Sequence, residues 1–256
     1  MVYIKSNKEI EFIKESCLIV AKAHEEIKKA IKPGISTLSL DKIAQDVILS
    51  LGAVPSFKNY PSGFKDVKPF PASSCISIND EVIHGIPSKK RIINNGDIVG
   101  IDIGAYKNGF HGDSARTHII GEVDEMTRKL VEVTKQSFFE GIKFAKPGLR
   151  IGDISNAIGE FVHKNGFSVV REFQGHGIGR NLHEDPGIPN YGTKGKGIRL
   201  EAGMTLAIEP MVNIGVYEIE IQEDGWTTLT KDGSNSAHYE NTILITDNGA
   251  EILTKL

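Results

Sequence analysis

GDIVGIDIGAYKNGFHGDSA, residues 96 to 115, reads as two apolar strands joined at KNG. Asp102 sits in the middle of the first strand and Asp113 just beyond the turn. An unpaired carboxylate buried in such a strand is costly, so something must compensate it. If Lys107-Asn108 is the two-residue loop, the two acids stand directly opposite each other. If the loop is Asn108-Gly109, Asp113 faces Gly104 and lies diagonal to Asp102. Either register puts both carboxylates on one face, and their repulsion favours a cation between them.

Outward from this hairpin, the chain repeats itself. A helical period covers residues 8 to 31 and stops at KPG (32–34), and a second helix runs from about Leu38 to Leu51 before Gly52. The same order returns from Met126 to Ala145, with KPG at 146–148, and from Ile151 to Lys164 near Gly166. At an offset of 114, Ile35 falls on Leu149, Leu40 on Ile154, Val47 on Phe161 and Ile48 on Val162. GDIVGID (96–102) matches GMTLAIE (203–209), which sets Asp102 opposite Glu209. HGD (111–113) matches HYE (238–240), which sets Asp113 opposite Glu240, and HGIP (84–87) matches HGIG (176–179). The reading is one α+β domain over residues 1–256, with halves of about 8–122 and 123–256 related by a pseudo-twofold axis. Its strands pool into a central antiparallel sheet, helices cover the outer face, and the matched acids converge near the axis.

Taken singly, an acid near a hairpin is usually solvated or caps a turn. Four at matched positions of a repeat point to metal binding. Nitrogen ligands are available from His84, His111, His176, His183 and His238, whereas His24, His118 and His163 lie in plain helix or strand contexts. GHGIGRNLHE (175–184) is the richest of these loops. One histidine with four carboxylates makes an oxygen-rich site for two divalent ions, suited to Mn, Fe(II), Co or Zn. Two such ions share a water, lower its pKa and clamp a carbonyl as it becomes tetrahedral. No HExxH, GxSxG, P-loop or Rossmann fingerprint competes with this hydrolytic reading.

A net charge of −3 argues against nucleic-acid specificity. No stretch approaches a membrane span, and MVYIKSNKEIEF is no signal peptide. Cys17 and Cys75 have no motif spacing and form no disulfide framework. A cytoplasmic monomer is expected.

CISINDEVIHGIPS (75–88), IDIGAYKNGFHGDSA (101–115), GHGIGRNLHE (175–184), AIEPM (207–211) and HYENTILIT (238–246) together resemble the type I methionine aminopeptidases of the bacterial short form, over essentially the whole chain. The resemblance implies the pita-bread fold and removal of the initiator methionine from nascent polypeptides whose second residue is small. It implies metal ligation by Asp102, Asp113, His176, Glu209 and Glu240, with Asp113 and Glu240 bridging two ions and a bridging hydroxide attacking the scissile carbonyl. His183 is implied to steady the carbonyl oxygen, His84 to hydrogen-bond the peptide nitrogen, and Glu209 to act as acid–base partner. The methionine pocket falls on Phe57, Tyr60, Phe70, Cys75, Leu182 and Trp226, an aromatic and thiol lining that suits a thioether. NYPSGFKDVKPFP (59–71) is several residues longer than the family pattern, and Leu182 stands where some members carry an aromatic. A second reading is an Xaa-Pro aminopeptidase or prolidase-like peptidase, although those carry a further N-terminal domain. A third is a pita-bread binding protein without catalysis. The nascent chain places the enzyme's partner at or near the ribosome.

Overall fold

Ser6 starts the first helix through a reciprocal bond. Its hydroxyl accepts from the Glu9 N–H at 3.4 Å, and the Glu9 carboxylate accepts from the Ser6 N–H at 2.9 Å. In this computed structural model, which describes residues 2–63 and 65–256, α1 (Asn7–Ala30) then buries Ile13, Val20 and Ile27 along one stripe. It stops at Lys32-Pro33-Gly34, where proline cannot continue a helix and Gly34 takes φ +89°. Ser36 caps α2 (Thr37–Ser50). The second half repeats the pair as α3 (Glu125–Ile142), capped by Asp124, and α4 (Ile151–Lys164), with Gly148 again at φ +89°. α3 ends three residues before Ala145 because its last turn tightens. The N–H groups of Phe144 and Ala145 bond the carbonyls of Gly141 and Ile142, both at 3.0 Å.

The repeat extends to individual bonds. Gly34 N–H donates to Ile93 O at 2.8 Å, and Ile93 N–H returns to Ile35 O at 2.9 Å. In the second half Gly148 N–H donates to Leu200 O at 3.1 Å, and Leu200 N–H returns to Leu149 O at 2.8 Å.

The first half contributes β1 (Val54–Pro55), β2 (Ser74–Ile78), β3 (Glu81–Ile83), β4 (Ile98–Lys107) and β5 (Phe110–Ile119). The second contributes β6 (Ser168–Val169), β7 (Gly175–Gly177), β8 (Glu184–Ile188), β9 (Thr205–Ile208) and β10 (Met211–Asn213). It continues with β11 (Ile219–Ile221), β12 (Thr228–Thr230), β13 (Ser236–His238), β14 (Asn241–Thr246) and β15 (Gly249–Ile252). All strand pairings among the described residues are antiparallel. β4 carries β5 on one edge and β2 and β1 on the other, and in the second half the order is β15-β14-β9-β7-β8. Two three-stranded sheets, β13-β10-β6 and β11-β12-β3, complete the set.

Lys107 pairs with Phe110, so Asn108-Gly109 forms the hairpin loop, and both residues take positive φ, +52° and +87°. Of the two registers, this is the one with Asp113 opposite Gly104 and diagonal to Asp102. Alternation then separates the faces of β4. Val99, Ile101, Ile103 and Ala105 are fully buried in the cluster under α1 and α2, while Asp102 points to the opposite face. The equivalent cluster of the second half packs Phe138, Ile154 and Ile158 on Leu206, Ile208, Ile243 and Ile245.

The strands do not pool into one uninterrupted ladder. Where β5 meets residues 238–242, two threonine hydroxyls stand in for backbone partners. Thr242 Oγ1 accepts from Asp113 N–H at 3.1 Å and donates to Asp113 O at 2.9 Å. Thr117 Oγ1 accepts from His238 N–H at 3.0 Å and donates to His238 O at 2.9 Å. Between them Glu240 N–H bonds Ala115 O at 2.9 Å. The seam therefore fixes Asp113 and Glu240 beside each other through their own backbones. Thr242→Val leaves a buried N–H and C=O unpaired, a loss of about 1–3 kcal/mol. The melting temperature of the metal-free protein is expected to fall by about 2–4 °C for each kcal/mol, and an unchanged melting temperature in a thermal scan counts against this role of the seam. No helix among the described residues is long and apolar enough to cross a membrane.

Candidate metal centre

The five expected ligands reach one cavity from three strands and two strand junctions. Asp102 comes from mid-β4, Asp113 from β5 and His176 from the centre of β7. Glu209 lies between β9 and β10, and Glu240 between β13 and β14. The cavity has a volume of about 720 Å³, and all five line it. Asp113, His176 and Glu240 form its tightest group, each offering an atom within 4.8 Å of the others. Asp102 and Glu209 stand outside that triplet. The Asp102 carboxyl adjoins that of Asp113, and Glu209 Oε1 lies 3.4 Å from His176 Nε2.

The donor set suits a cation. Asp102, Asp113 and Glu240 each have a buried carboxylate oxygen with no hydrogen-bond partner in the structure. His176 Nδ1 donates to Gly177 O at 2.8 Å, which leaves the lone pair of Nε2 facing the carboxylates.

His84 and His183 line the same cavity. The His183 ring lies 4.4 Å from that of His176, and its Nδ1 is 2.6 Å from the Tyr60 hydroxyl. His84 takes φ +58°, a conformation uncommon outside glycine, asparagine, aspartate and histidine. Gly85 follows it because a Cβ there would come within 2.2 Å of Ile76 O. Phe57, Phe70, Cys75 and Leu182 form a buried apolar recess off the cavity, with Tyr60 and Trp226 packed against it. The long 59–71 stretch does not displace Tyr60 or Phe70, because it is tied off at its base. Asn59 N–H bonds Phe70 O at 2.8 Å, and Phe70 N–H bonds Tyr60 O at 2.9 Å.

The other two candidate histidines lie elsewhere. His111 hydrogen-bonds Ser56 at 2.8 Å, away from the cavity. His238 Nε2 lies behind Glu209, 3.9 Å from Oε2. Among the lining residues that escaped the sequence reading are Glu172, Phe173 and Gln174. Phe173 meets the His84 ring edge-on at 5.5 Å. No repeat or motif marks this stretch, so only its position before GHG could have drawn attention to it.

The model of metallopeptidase family M24 matches residues 11–247. The chain belongs to metallopeptidase family M24. It is similar to a methionine aminopeptidase of Clostridium acetobutylicum, with 51% identity over 254 residues and 99% of each chain covered. A solved methionine aminopeptidase from Thermotoga maritima is similar with a TM-score of 0.96 and 47% identity, covering 100% of both chains. A prolidase from Pyrococcus furiosus shares the fold at a TM-score of 0.79 and 26% identity, covering 99% of this chain but 65% of its own.

The electrostatics of this M24 chain are those of crowded anions. Burial pushes Asp102 up to about 7. Asp113, Glu209 and Glu240 are raised well above the usual carboxylate range, first by burial and then by one another and by Asp102. Burial and the neighbouring His183 bring His176 down to about 3 and His84 to about 4, so both rings are neutral at neutral pH. A divalent cation reverses the carboxylate shifts, since its charge favours the ionised forms.

Proposed function

We propose that this M24 chain is a metal-dependent aminopeptidase that removes the N-terminal methionine of peptides with a small second residue. One observation carries the reading: four carboxylates and a neutral histidine converge at the mouth of an aromatic, thiol-bearing recess. Asp102, Asp113, His176, Glu209 and Glu240 would hold two divalent ions (Mn, Fe(II), Co or Zn), which would supply Lewis-acid activation of water and of the scissile carbonyl. Asp113 and Glu240, adjacent across the seam, would be the ligands shared by both ions, a reading their adjacency supports.

The chain's own groups do the rest. The recess of Phe57, Phe70, Cys75 and Leu182, with Tyr60 and Trp226 at its edge, holds the methionine thioether. With the Tyr60 hydroxyl donating to His183 Nδ1, the ring proton sits on Nε2, which hydrogen-bonds the carbonyl oxygen. Neutral His84 donates to the scissile nitrogen once that nitrogen has turned pyramidal in the tetrahedral intermediate. Glu209 takes a proton from the attacking water and returns it to the amine as the C–N bond breaks. The whole chain acts as one catalytic unit, a cytoplasmic monomer working on nascent N-termini at the ribosome, with its halves (8–122 and 123–256) each giving two acids.

A peptide panel with Mn or Co tests this. Met-Gly and Met-Ala peptides are expected to be cleaved, Met-Leu about 100-fold more slowly, and Xaa-Pro peptides not at all. The likeness to a prolidase makes Xaa-Pro cleavage the second reading. No cleavage of any peptide returns the chain to a binding role.

A further inference from the structure

Beyond His84 a second recess of about 330 Å³ opens, and it shares His84, Glu172, Phe173 and Trp226 with the catalytic cavity. One wall is Ile219 and Ile221 of β11, the edge strand of its sheet. Ile221 is 38% exposed although it is a large aliphatic side chain. The other wall is the long 59–71 stretch, reaching the recess at Gly63. That stretch is pinned over Trp226, whose indole N–H donates to Lys68 O at 2.9 Å. It also packs on Gly225, where a Cβ would come within 2.6 Å of Val67. Trp226 is therefore a partition, with the thioether recess on one side and this one on the other.

A substrate with its methionine in the first recess and its scissile nitrogen at His84 must leave past His84. An extended chain advances about 3.3 Å per residue and alternates its side chains. The second recess is the next enclosed space on that path, and the open edge of β11 offers backbone groups to an extended peptide.

Resting on the aminopeptidase reading, we propose that this recess takes the side chain of the substrate's third residue and selects an aliphatic or aromatic one. Its side-chain lining is mainly Phe173, Ile219, Ile221 and Trp226, with Ser62, Thr228 and the neutral His84 as polar members, and Glu172 is the charged wall residue that disfavours an acidic third residue. The long stretch thus sets specificity downstream of the scissile bond while Tyr60 and Phe70, near its two ends, stay in the methionine recess.

The experiment compares Met-Ala-Gly, Met-Ala-Leu, Met-Ala-Phe and Met-Ala-Asp peptides with a common tail, on the Mn-loaded protein. Leu and Phe are expected to exceed Gly by about tenfold in kcat/KM, mainly through KM, and Asp to fall below Gly. Ile219→Ser and Ile221→Ser, each made separately at partly exposed positions, are expected to bring the Leu/Gly ratio within about twofold of unity. Equal rates for Gly, Leu and Phe, or an intact preference in both variants, overturn the subsite while leaving the aminopeptidase reading in place. Failure to cleave even Met-Ala-Gly overturns both.

Discussion

Glu240→Ala yields a protein that takes up no divalent metal and cleaves no methionyl peptide, with turnover reduced on the order of 10³-fold or more. Glu240 is 2% exposed, has an orphaned Oε1, and belongs with Asp113 and His176 to a triplet that could hold a metal ion. Asp113→Ala is expected to behave alike. Elemental analysis after dialysis against Mn checks the loss, and unchanged stoichiometry sinks the bridging assignment. The sign of the pH dependence follows from the raised carboxylates. With a folded value near 7 against an ordinary 3.8, Asp102 keeps its proton when folded in the metal-free protein and loses it when unfolded. Its stabilising contribution is full below about 4 and is lost as pH rises through about 7. Metal loading displaces that proton, so wild-type protein is expected to release protons on taking up Mn at pH 6.5 and to bind more tightly as pH rises. Calorimetry in two buffers of different ionisation enthalpy reads the release. Metal-free Glu240→Ala, relieved of one repelling charge, is expected to melt no lower than metal-free wild type at pH 8, which separates a lost ligand from a lost fold.

His84→Ala gives the opposite split, with full metal stoichiometry but kcat lower by about 10²–10³-fold. His84 lies in the cavity but outside the ligand triplet, wedged between Phe173 at 5.5 Å and Trp226 at 6.1 Å. Its pKa near 4 keeps the ring neutral and able to donate across the working pH range. The left-handed backbone makes His84→Asn the informative companion, because asparagine tolerates φ +58° and retains an N–H donor. Partial recovery of kcat in His84→Asn supports donation to the scissile nitrogen. A near-wild-type kcat in His84→Ala removes the residue from the reaction.

Much of the fold was legible because duplication writes one structural instruction twice. The two KPG stops and the paired acids were readable from residue identity alone, and the helices follow within a few residues. The methionine recess was harder to read. Phe57, Cys75 and Leu182 look like ordinary core residues, and Phe173 carries no mark at all. Their shared cavity arises from contacts among segments far apart in the chain.

By itself, the sequence determined two helix pairs, a hairpin with both acids on one face, and a carboxylate set too regular to be solvated surface. Those follow from local periodicity and turn chemistry, which act over a few residues. The tertiary structure alone decided the Asn108-Gly109 register, the threonine-bridged seam joining Asp113 to Glu240, and the tie at Asn59 and Phe70 that keeps Tyr60 and Phe70 at the recess proposed for methionine. Each of these depends on backbone groups meeting between segments whose separation no local pattern encodes.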